Sequence, residues 1–388
     1  MKWTRTGFTL LLTVAALAIW LAAPAAAQET IKIGFFAPIT GPAAADGASA
    51  KQAVELGAKE VNAAGGIMGR KVDLIVYDDR FSPQEAVAIA NKLIERDQVV
   101  GVVSGSYSGP TRVAAPIYAK AGIPMVAGYA VHPDVTKSGE SNFRQGFLGE
   151  VEGRAAGEYA VKVLKTKKPA VIYMDNDFGR EISAGFIKQA EKRGAKVATS
   201  QMYKFPGEKD FRPFLTRIKE ANPDLIFAAG YYNEAALIVR QAKELGIKTQ
   251  ILAEEGFDSP KFIELAGKDA EGVIIATNLD RDDPRPVVQN FLKNYKAAYK
   301  IDPDMVGASS YDAFMILVNA IGRAGSTNAK AIVTALKETK DYNGLTGKLS
   351  KFIKGEIVKP VQFQVVKGGV FRRHGVVDDP EIITPPVN

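Results

Sequence analysis

Short strands rich in β-branched residues alternate with amphipathic helical segments along most of this chain, and the alternation occurs twice with similar spacing. The first series of predicted strands covers residues 31–36, 72–77, 99–104 and 124–127. The second series covers residues 170–174, 197–203, 225–229, 251–253 and 273–276. This spacing indicates parallel strands joined by helical crossovers, which are short and right-handed. We therefore predict an α/β protein with two doubly wound parallel-sheet lobes.

The predicted helices carry recognisable local signals. Ser82-Pro83-Gln84-Glu85 is a capping box with proline at the first helical position, followed by apolar residues at helical spacing. After the second series come three helical segments, at about 287–299, 305–324 and 329–337. Glycine-punctuated, strand-like segments such as 361–366 then predict a terminal hairpin.

The first 27 residues have the composition of a secretory signal. Lys2 and Arg5 precede an apolar run at 8–21, and small residues end at Ala25-Ala26-Ala27. The apolar run is too short and too rich in alanine for a typical membrane span, which leaves an uncleaved anchor as the alternative. We predict cleavage before Gln28 and a mature chain that works outside the cytoplasm.

Composition excludes several functional classes. The 388 residues, 46% of them hydrophobic, suffice for two domains with substantial cores. Removing the leader lowers the formal charge from +7 to +5, and the basic residues are interspersed with acidic ones, so nucleic acid is not an expected partner. The absence of cysteine excludes disulfides, thiol catalysis and thiolate metal sites, and two histidines leave little for histidine chemistry.

Motifs typical of catalysis or metal binding do not fit. Neither serine of Gly105-Ser106-Tyr107-Ser108-Gly109 sits at the centre of a Gly-x-Ser-x-Gly nucleophile elbow. Asp175-Asn176-Asp177-Phe178-Gly179 lacks the later ligands of a calcium loop and is better interpreted as a cap at a strand-to-helix turn. We expect no catalytic residues, no metal and no cofactor.

Loops after the strands are where a doubly wound protein binds its ligand. The loop around Ser108 combines glycines with the start of a helix, which suits an anion such as a carboxylate. On the other lobe, Glu254 or Glu255 could pair with an ammonium, and since neighbouring strand residues point oppositely, only one of them should face the cleft. Ser108 and Asp46 could equally be helix caps, and the loop aromatics could be ordinary core.

Five motifs, in this order and spacing, resemble the periplasmic leucine/isoleucine/valine-binding family, the substrate-binding components of ABC importers. They are Ile39-Thr40-Gly41-Pro42, Asn62 to Gly69, Tyr77-Asp78-Asp79, the Ser108-Gly109 loop ahead of Ala115-Pro116-Ile117-Tyr118, and Gly230-Tyr231-Tyr232 through Arg240-Gln241-Ala242. The resemblance implies a type I periplasmic binding fold, with lobes joined by three crossovers. Lobe I would contain residues 30–149 and 279–351, and lobe II residues 150–278 and 352–388. It also implies a monomeric, periplasmic, non-enzymatic protein that closes on its ligand and docks on a membrane permease.

The same resemblance assigns ligand contacts by position. Ser108 matches a carboxylate-binding serine, Tyr129 and Val131 fall on the next carboxylate-contacting turn, and Glu255 matches the ammonium-binding acid. Tyr231 and Phe178 match aromatic contacts of lobe II. Two positions depart from the family: Val131 stands where a threonine is usual, and Asp46 replaces a frequent aromatic residue. We expect an apolar or branched-chain amino acid as ligand, with an aromatic acid or an amide as the alternative.

Overall fold

The computed structural model describes residues 30–386, so the predicted signal peptide lies outside the described residues. Two mixed sheets form the framework, and helices surround them. In both sheets the inner strands run parallel. The strands contributed by the end of the chain pair antiparallel with one another; they join the first sheet through a parallel pairing of β13 with β5 and the second sheet through an antiparallel pairing of β14 with β10. The predicted α/β fold with two sheets is confirmed.

The first sheet contains eight strands in the order β11-β12-β13-β5-β4-β3-β1-β2. These strands are β1 (Ile31–Ala37), β2 (Val72–Asp78), β3 (Gly101–Ser104), β4 (Met125–Ala127), β5 (Asn142–Arg144), β11 (Lys340–Gly344), β12 (Gly347–Ile353) and β13 (Glu356–Val358). The sequence did not predict β5, because its three residues Asn142-Phe143-Arg144 show neither an apolar run nor alternation.

The second sheet contains seven strands in the order β15-β14-β10-β9-β8-β6-β7. These strands are β6 (Pro169–Met174), β7 (Thr199–Tyr203), β8 (Leu225–Ala229), β9 (Gln250–Ala253), β10 (Ile274–Thr277), β14 (Val361–Lys367) and β15 (Val370–Val377). The pair β14 and β15 is the predicted terminal hairpin, and Gly368 and Gly369 form its turn with φ angles of 62° and 73°.

Thirteen α-helices connect or cover the strands within the described range. They are α1 (Ala44–Ala63), α2 (Pro83–Asn91), α3 (Ser108–Ala121), α4 (Asp134–Lys137), α5 (Gly149–Lys162), α6 (Asp177–Lys192), α7 (Arg212–Glu220), α8 (Tyr232–Glu244), α9 (Pro260–Ala266), α10 (Pro286–Tyr299), α11 (Met305–Ala324), α12 (Ala329–Lys337) and α13 (Pro380–Ile383). At the start of α2, Ser82 Oγ accepts a hydrogen bond from the Glu85 amide at 3.3 Å, as the capping box predicts.

Burial follows from this layering. Every residue of β3 and β8 is buried, because helices cover both faces of a parallel sheet. The long apolar helix α11 packs against α1 over the first sheet. Because the inner strands also run parallel, the loops after them emerge together at one edge of each sheet.

The chain crosses between the sheets three times within the described residues. It leaves the first sheet after β5, returns after β10, and crosses last at Lys359 and Pro360. The expected end of lobe I at residue 351 falls inside β12 and needs correction, because β13 pairs with β5 and extends the first sheet to Val358. Glycine signals around this segment indicated strands but not the sheet that they join.

Candidate ligand-binding site

A small cavity lies between the two sheets, where the loops after the carboxyl ends of the strands meet. Its lining residues follow β1, β3 and β4 in the first sheet and β6, β8 and β9 in the second, and two come from the start of α11. They are Asp46, Tyr107, Tyr129, Phe178, Tyr231, Glu255, Gly256, Asp258, Ser259, Met305 and Val306. Because ligands of doubly wound sheets bind beyond this edge, the cavity is the candidate site.

The cavity is narrow. The centre of a water-sized sphere can move through a volume of only about 10 Å³ inside it, so the cavity holds about one water molecule. An amino acid therefore enters only when the two sheets move apart or when a lining ring rotates.

Five of the seven residues predicted to contact ligand line this cavity: Asp46, Tyr129, Phe178, Tyr231 and Glu255. Ser108 and Val131 are buried but are not lining residues. They bond to each other instead, since the Val131 amide donates to Ser108 Oγ at 3.0 Å. Ser108 is the first residue of α3, and its hydroxyl does not cap that helix.

Aromatic rings from both sheets meet across the cavity. The ring centroids of Tyr107 and Tyr231 are 4.4 Å apart, those of Tyr231 and Phe178 are 5.1 Å apart, and those of Tyr107 and Tyr129 are 5.4 Å apart. The rings of Phe81 and Phe205 pack edge-on against Tyr231. The site thus offers apolar, polarisable walls to a small side chain.

Glu255 brings a buried carboxylate to the cavity from the loop after β9. Its Oε2 accepts a hydrogen bond from the Asn278 side chain, whereas its buried Oε1 has no hydrogen-bond partner among the described residues. Burial raises the pKa of Glu255 well above its usual value, the negative charge of Glu152 raises it further, and the positive charge of Lys359 opposes both. An ammonium group would satisfy the free oxygen and favour the ionised carboxyl.

Glu254 has a different role from its neighbour. Its Oε1 accepts from the Gly230 amide at 2.9 Å, and its Oε2 accepts from the Gly256 amide at 2.7 Å. Glu254 therefore holds two loops of the second sheet together, and Glu255 is the acid that faces the cavity, in line with the alternation of neighbouring side chains.

Asp46 lines the cavity from the first turn of α1. The Tyr107 hydroxyl donates to its Oδ2, and its buried Oδ1 has no hydrogen-bond partner among the described residues. Burial raises the pKa of Asp46 to about 8, the charge of Asp304 adds to the rise, and the Tyr107 hydrogen bond opposes it. Asp46 does not cap α1, whose first turn has no side-chain cap.

Close packing fixes the loop between β3 and α3. A Cβ atom at Gly105 would lie 2.4 Å from the Phe35 ring, so the loop approaches β1 in a way that only glycine permits. The Tyr129 hydroxyl donates to the Gly105 carbonyl at 2.7 Å, which ties this loop to the one after β4. Tyr107 and Ser108 are thereby held in place.

Sequence analysis missed several lining residues. Tyr107 carried a usable signal, since it is an aromatic residue in a ligand-side loop directly before Ser108. Met305 and Val306 carried none, because they belong to a helix beyond both strand series. Asp258 lines the cavity but is already paired, with Arg281 and with the Thr277 hydroxyl.

A larger groove elsewhere on the molecule, with an empty volume of about 1750 Å³, is open to solvent. Residues of β5, α5, α6 and the turn between β12 and β13 line it, and its acids Glu140 and Glu150 pair with Lys337 and Lys188. It has no aromatic cage joining the two sheets, so size alone does not make it the better candidate.

Comparison with known proteins identifies close similarity over nearly the whole described chain. A sequence model of the family described as periplasmic binding protein matches residues 30–369. The "leucine-, isoleucine-, valine-, threonine-, and alanine-binding protein" of Pseudomonas aeruginosa is 30% identical over 85% of this chain and 88% of its own length.

Two solved structures have the same fold. A leucine-binding protein from Thermotoga maritima superposes with a TM-score of 0.84 at 30% identity, covering 91% of this chain and all of the other. A branched-chain amino acid transporter substrate-binding protein from Streptococcus pneumoniae, in complex with isoleucine, superposes with a TM-score of 0.83 at 29% identity, covering 90% of this chain and 99% of the other.

Proposed function

The chain belongs to the periplasmic binding protein family, and from this we propose that it is the solute receptor of an ABC importer for a small α-amino acid. The similar proteins named for leucine, isoleucine and valine support an apolar or branched side chain on that ligand. The single observation that carries the proposal is the unpartnered, buried Oε1 of Glu255 in a cavity between two sheets.

Glu255 is the proposed partner of the ligand's ammonium group. A buried carboxylate without a partner costs several kcal/mol, and an ammonium brought to its free oxygen removes most of that cost. None of the lining residues within the described range is a lysine or an arginine, so the protein does not supply this cation at the cavity itself.

We assign the ligand's carboxylate to the start of α3. The Ser108 hydroxyl accepts from the Val131 amide and keeps its own proton free to donate. The first-turn amides of α3 add donors and the positive end of the helix dipole. Ser108 and the first-turn amides would hold this end of the zwitterion. The Val131 amide, bonded to Ser108 Oγ, and the Tyr129 hydroxyl, bonded to the Gly105 carbonyl, would position that loop, and Phe178 and Tyr231 would cover the ligand's side chain.

Transport requires opening and closing rather than chemistry. Since the cavity admits about one water molecule, it must widen for a ligand to enter, and we assign this to separation of the two lobes about the three crossing segments. The closed, liganded form would dock on the membrane permease, as a monomer, in the periplasm, where the leader 1–27 would direct it. No catalytic step is proposed.

An aromatic acid is the second candidate ligand, because four aromatic rings line the cavity. Such an acid has no ammonium and would leave Oε1 of the buried Glu255 carboxyl without a partner. That difference favours the amino acid.

Titration calorimetry tests the proposal. Mature protein, unfolded and refolded to remove co-purified ligand, is titrated with leucine, with 4-methylpentanoate, which lacks only the amino group, and with benzoate. We expect heat for leucine and none for the other two at the same concentration. Binding of 4-methylpentanoate or benzoate as tight as that of leucine would refute the pairing of Glu255 with an ammonium.

A further inference from the structure

Asp46 is the acid that the first sheet contributes to the cavity lining, and it is 4% exposed. One carboxyl oxygen, Oδ2, receives the Tyr107 hydroxyl, while Oδ1 has no partner among the described residues. A buried polar atom that lacks a partner costs about 1–3 kcal/mol. A ligand group that bonds to Oδ1 recovers that free energy.

The protein groups nearest to Asp46 cannot provide this bond. The only hydroxyl proton of Tyr107 is used on Oδ2. Asp304 also faces Asp46, but it is itself an acceptor for the Ser49 hydroxyl and the Gly307 amide. Asp258, the third acid that acts on Asp46, is occupied by Arg281.

Glu255 provides a comparable free oxygen from the opposite sheet. The cavity lining therefore includes two carboxyl groups, one from each sheet, that each have an oxygen without a partner among the described residues, together with four aromatic rings. An amino acid with a purely apolar side chain has hydrogen-bond donors only on its ammonium, so an ammonium that bonds to Glu255 alone leaves Asp46 Oδ1 without a partner.

We propose that, among the small α-amino acids of the proposed function, Asp46 favours a side chain that carries a neutral hydroxyl or amide over an apolar side chain of the same shape, so that leucine and valine bind but are not the tightest ligands. This inference rests on the proposed function, in which Glu255 takes the ammonium. A hydroxyl or an amide can both donate and accept, so it pairs with the Asp46 carboxyl in either protonation state. Because burial raises the pKa of Asp46 to about 8, the neutral state is the main one at pH 7.

Isosteric ligand pairs test the inference directly. Refolded mature protein is titrated at pH 7 with threonine against valine and with asparagine against leucine. Each polar ligand should bind at least about tenfold tighter than its apolar partner, since a site with an unpaired polar group discriminates against analogues that cannot bond to it. In Asp46→Leu the advantage should disappear while valine still binds.

A matched control separates this effect from simple loss of an acid. Asp304→Asn removes the neighbouring carboxyl, which does not line the cavity, and should keep the preference for threonine. If Asp46→Leu does not fold, the ligand ratios of the unmodified protein and of Asp46→Asn still decide the matter, and Asp46→Asn should keep a reduced preference.

The contrary outcomes are distinct. Equal or tighter binding of valine and leucine in the unmodified protein overturns the role of Asp46 and leaves the proposed function standing. If Asp46→Leu weakens binding of both members of each pair equally, Asp46 bonds to the ammonium that all four ligands share. That outcome also overturns the selective role of Asp46. If no amino acid binds, the proposed function itself fails.

Discussion

Lys359 Nζ donates to Thr346 Oγ1 at 2.9 Å, which joins the last crossing between the sheets to the turn between β11 and β12. The same ammonium lies 4.8 Å from the centre of the Phe147 ring on the first crossing. Its charge acts on Asp312 in the first sheet's layer and on Glu152 and Glu255 beside the second sheet. A buried amine thus links the hinge to the acid that we assign to the ligand.

Replacing Lys359 with methionine should weaken amino acid binding at pH 7 severalfold. Lys359 lowers the pKa of Glu255, so its loss moves the ionisation of that carboxyl to higher pH, and binding should need a correspondingly higher pH. Calorimetry from pH 6 to pH 9 measures the shift. Lys337→Met, at an exposed lysine, is the control, and an unshifted profile for Lys359→Met would contradict the coupling.

The unfolding free energy should report on Lys359 as well. Burial lowers its pKa to about 7, so its contribution to stability is complete above about pH 10.5 and is lost as the pH falls towards 7. Lys359→Met lacks this titration. As the pH falls from 10 to 7, the unfolding free energy of the variant in urea should therefore rise relative to that of the unmodified protein. A difference in unfolding free energy that stays constant over this range would argue against a neutral buried amine.

Glu255→Gln should weaken amino acid binding by at least about 2 kcal/mol, because the ligand's ammonium loses its buried counter-ion. Glu234→Gln is a suitable control, since Glu234 lies in the first turn of α8 on the same side of the second sheet but does not line the cavity. If Glu255→Gln left the dissociation constant unchanged, Glu255 would not be the partner of the ligand's ammonium group.

Ser108→Ala should cost less than the change at Glu255, about 1–2 kcal/mol of binding free energy, because backbone amides still hold the carboxylate. Ser183→Ala, at an equally buried serine on α6, should leave affinity unchanged. If Ser108→Ala lost more binding free energy than Glu255→Gln, the carboxylate end of the zwitterion, and not its ammonium end, would contribute more to affinity.

Gly105→Ala should destabilise the protein by about 1–3 kcal/mol and weaken binding, because its Cβ atom would overlap the Phe35 ring and push the Tyr107 loop away. Gly109→Ala, four residues later, has no heavy atom within 4 Å of its added Cβ and should be tolerated. Thermal melts compare the two variants. Equal stability for both would show that the loop relaxes freely.

Asp46→Asn should change how stability depends on pH. The pKa of Asp46 is raised from 3.8 to about 8, so its contribution is greatest below about pH 4 and is lost as the pH rises towards 8. The asparagine variant should gain stability over the unmodified protein across this window, by at most about 1.4 kcal/mol per pH unit. Urea unfolding at pH 4, 6 and 8 measures the difference, and parallel curves would contradict it.

Local sequence predicted the framework well because the relevant signals are local. The capping serine, the apolar runs of β3 and β8 and the glycines of the terminal hairpin each act within a few residues. Strand β5 was not predicted, because its strand conformation depends on pairing with β4 and not on its own composition. The predicted end of lobe I at residue 351 was wrong for the same reason, since the pairing of β13 with β5 decides to which sheet β13 belongs.

The amino-acid sequence alone determined that two α/β layers form and that Ser108, Tyr129, Tyr231 and Glu255 come shortly after strands, at the ligand edge of their sheets. Only the tertiary structure decided that Glu254 bonds to backbone amides, that Tyr107 lines the cavity and that the charge of Lys359 acts on Glu255. The physical reason is that strand periodicity fixes which residues leave a sheet at its edge, whereas the charges and rings that meet there come from segments hundreds of residues apart.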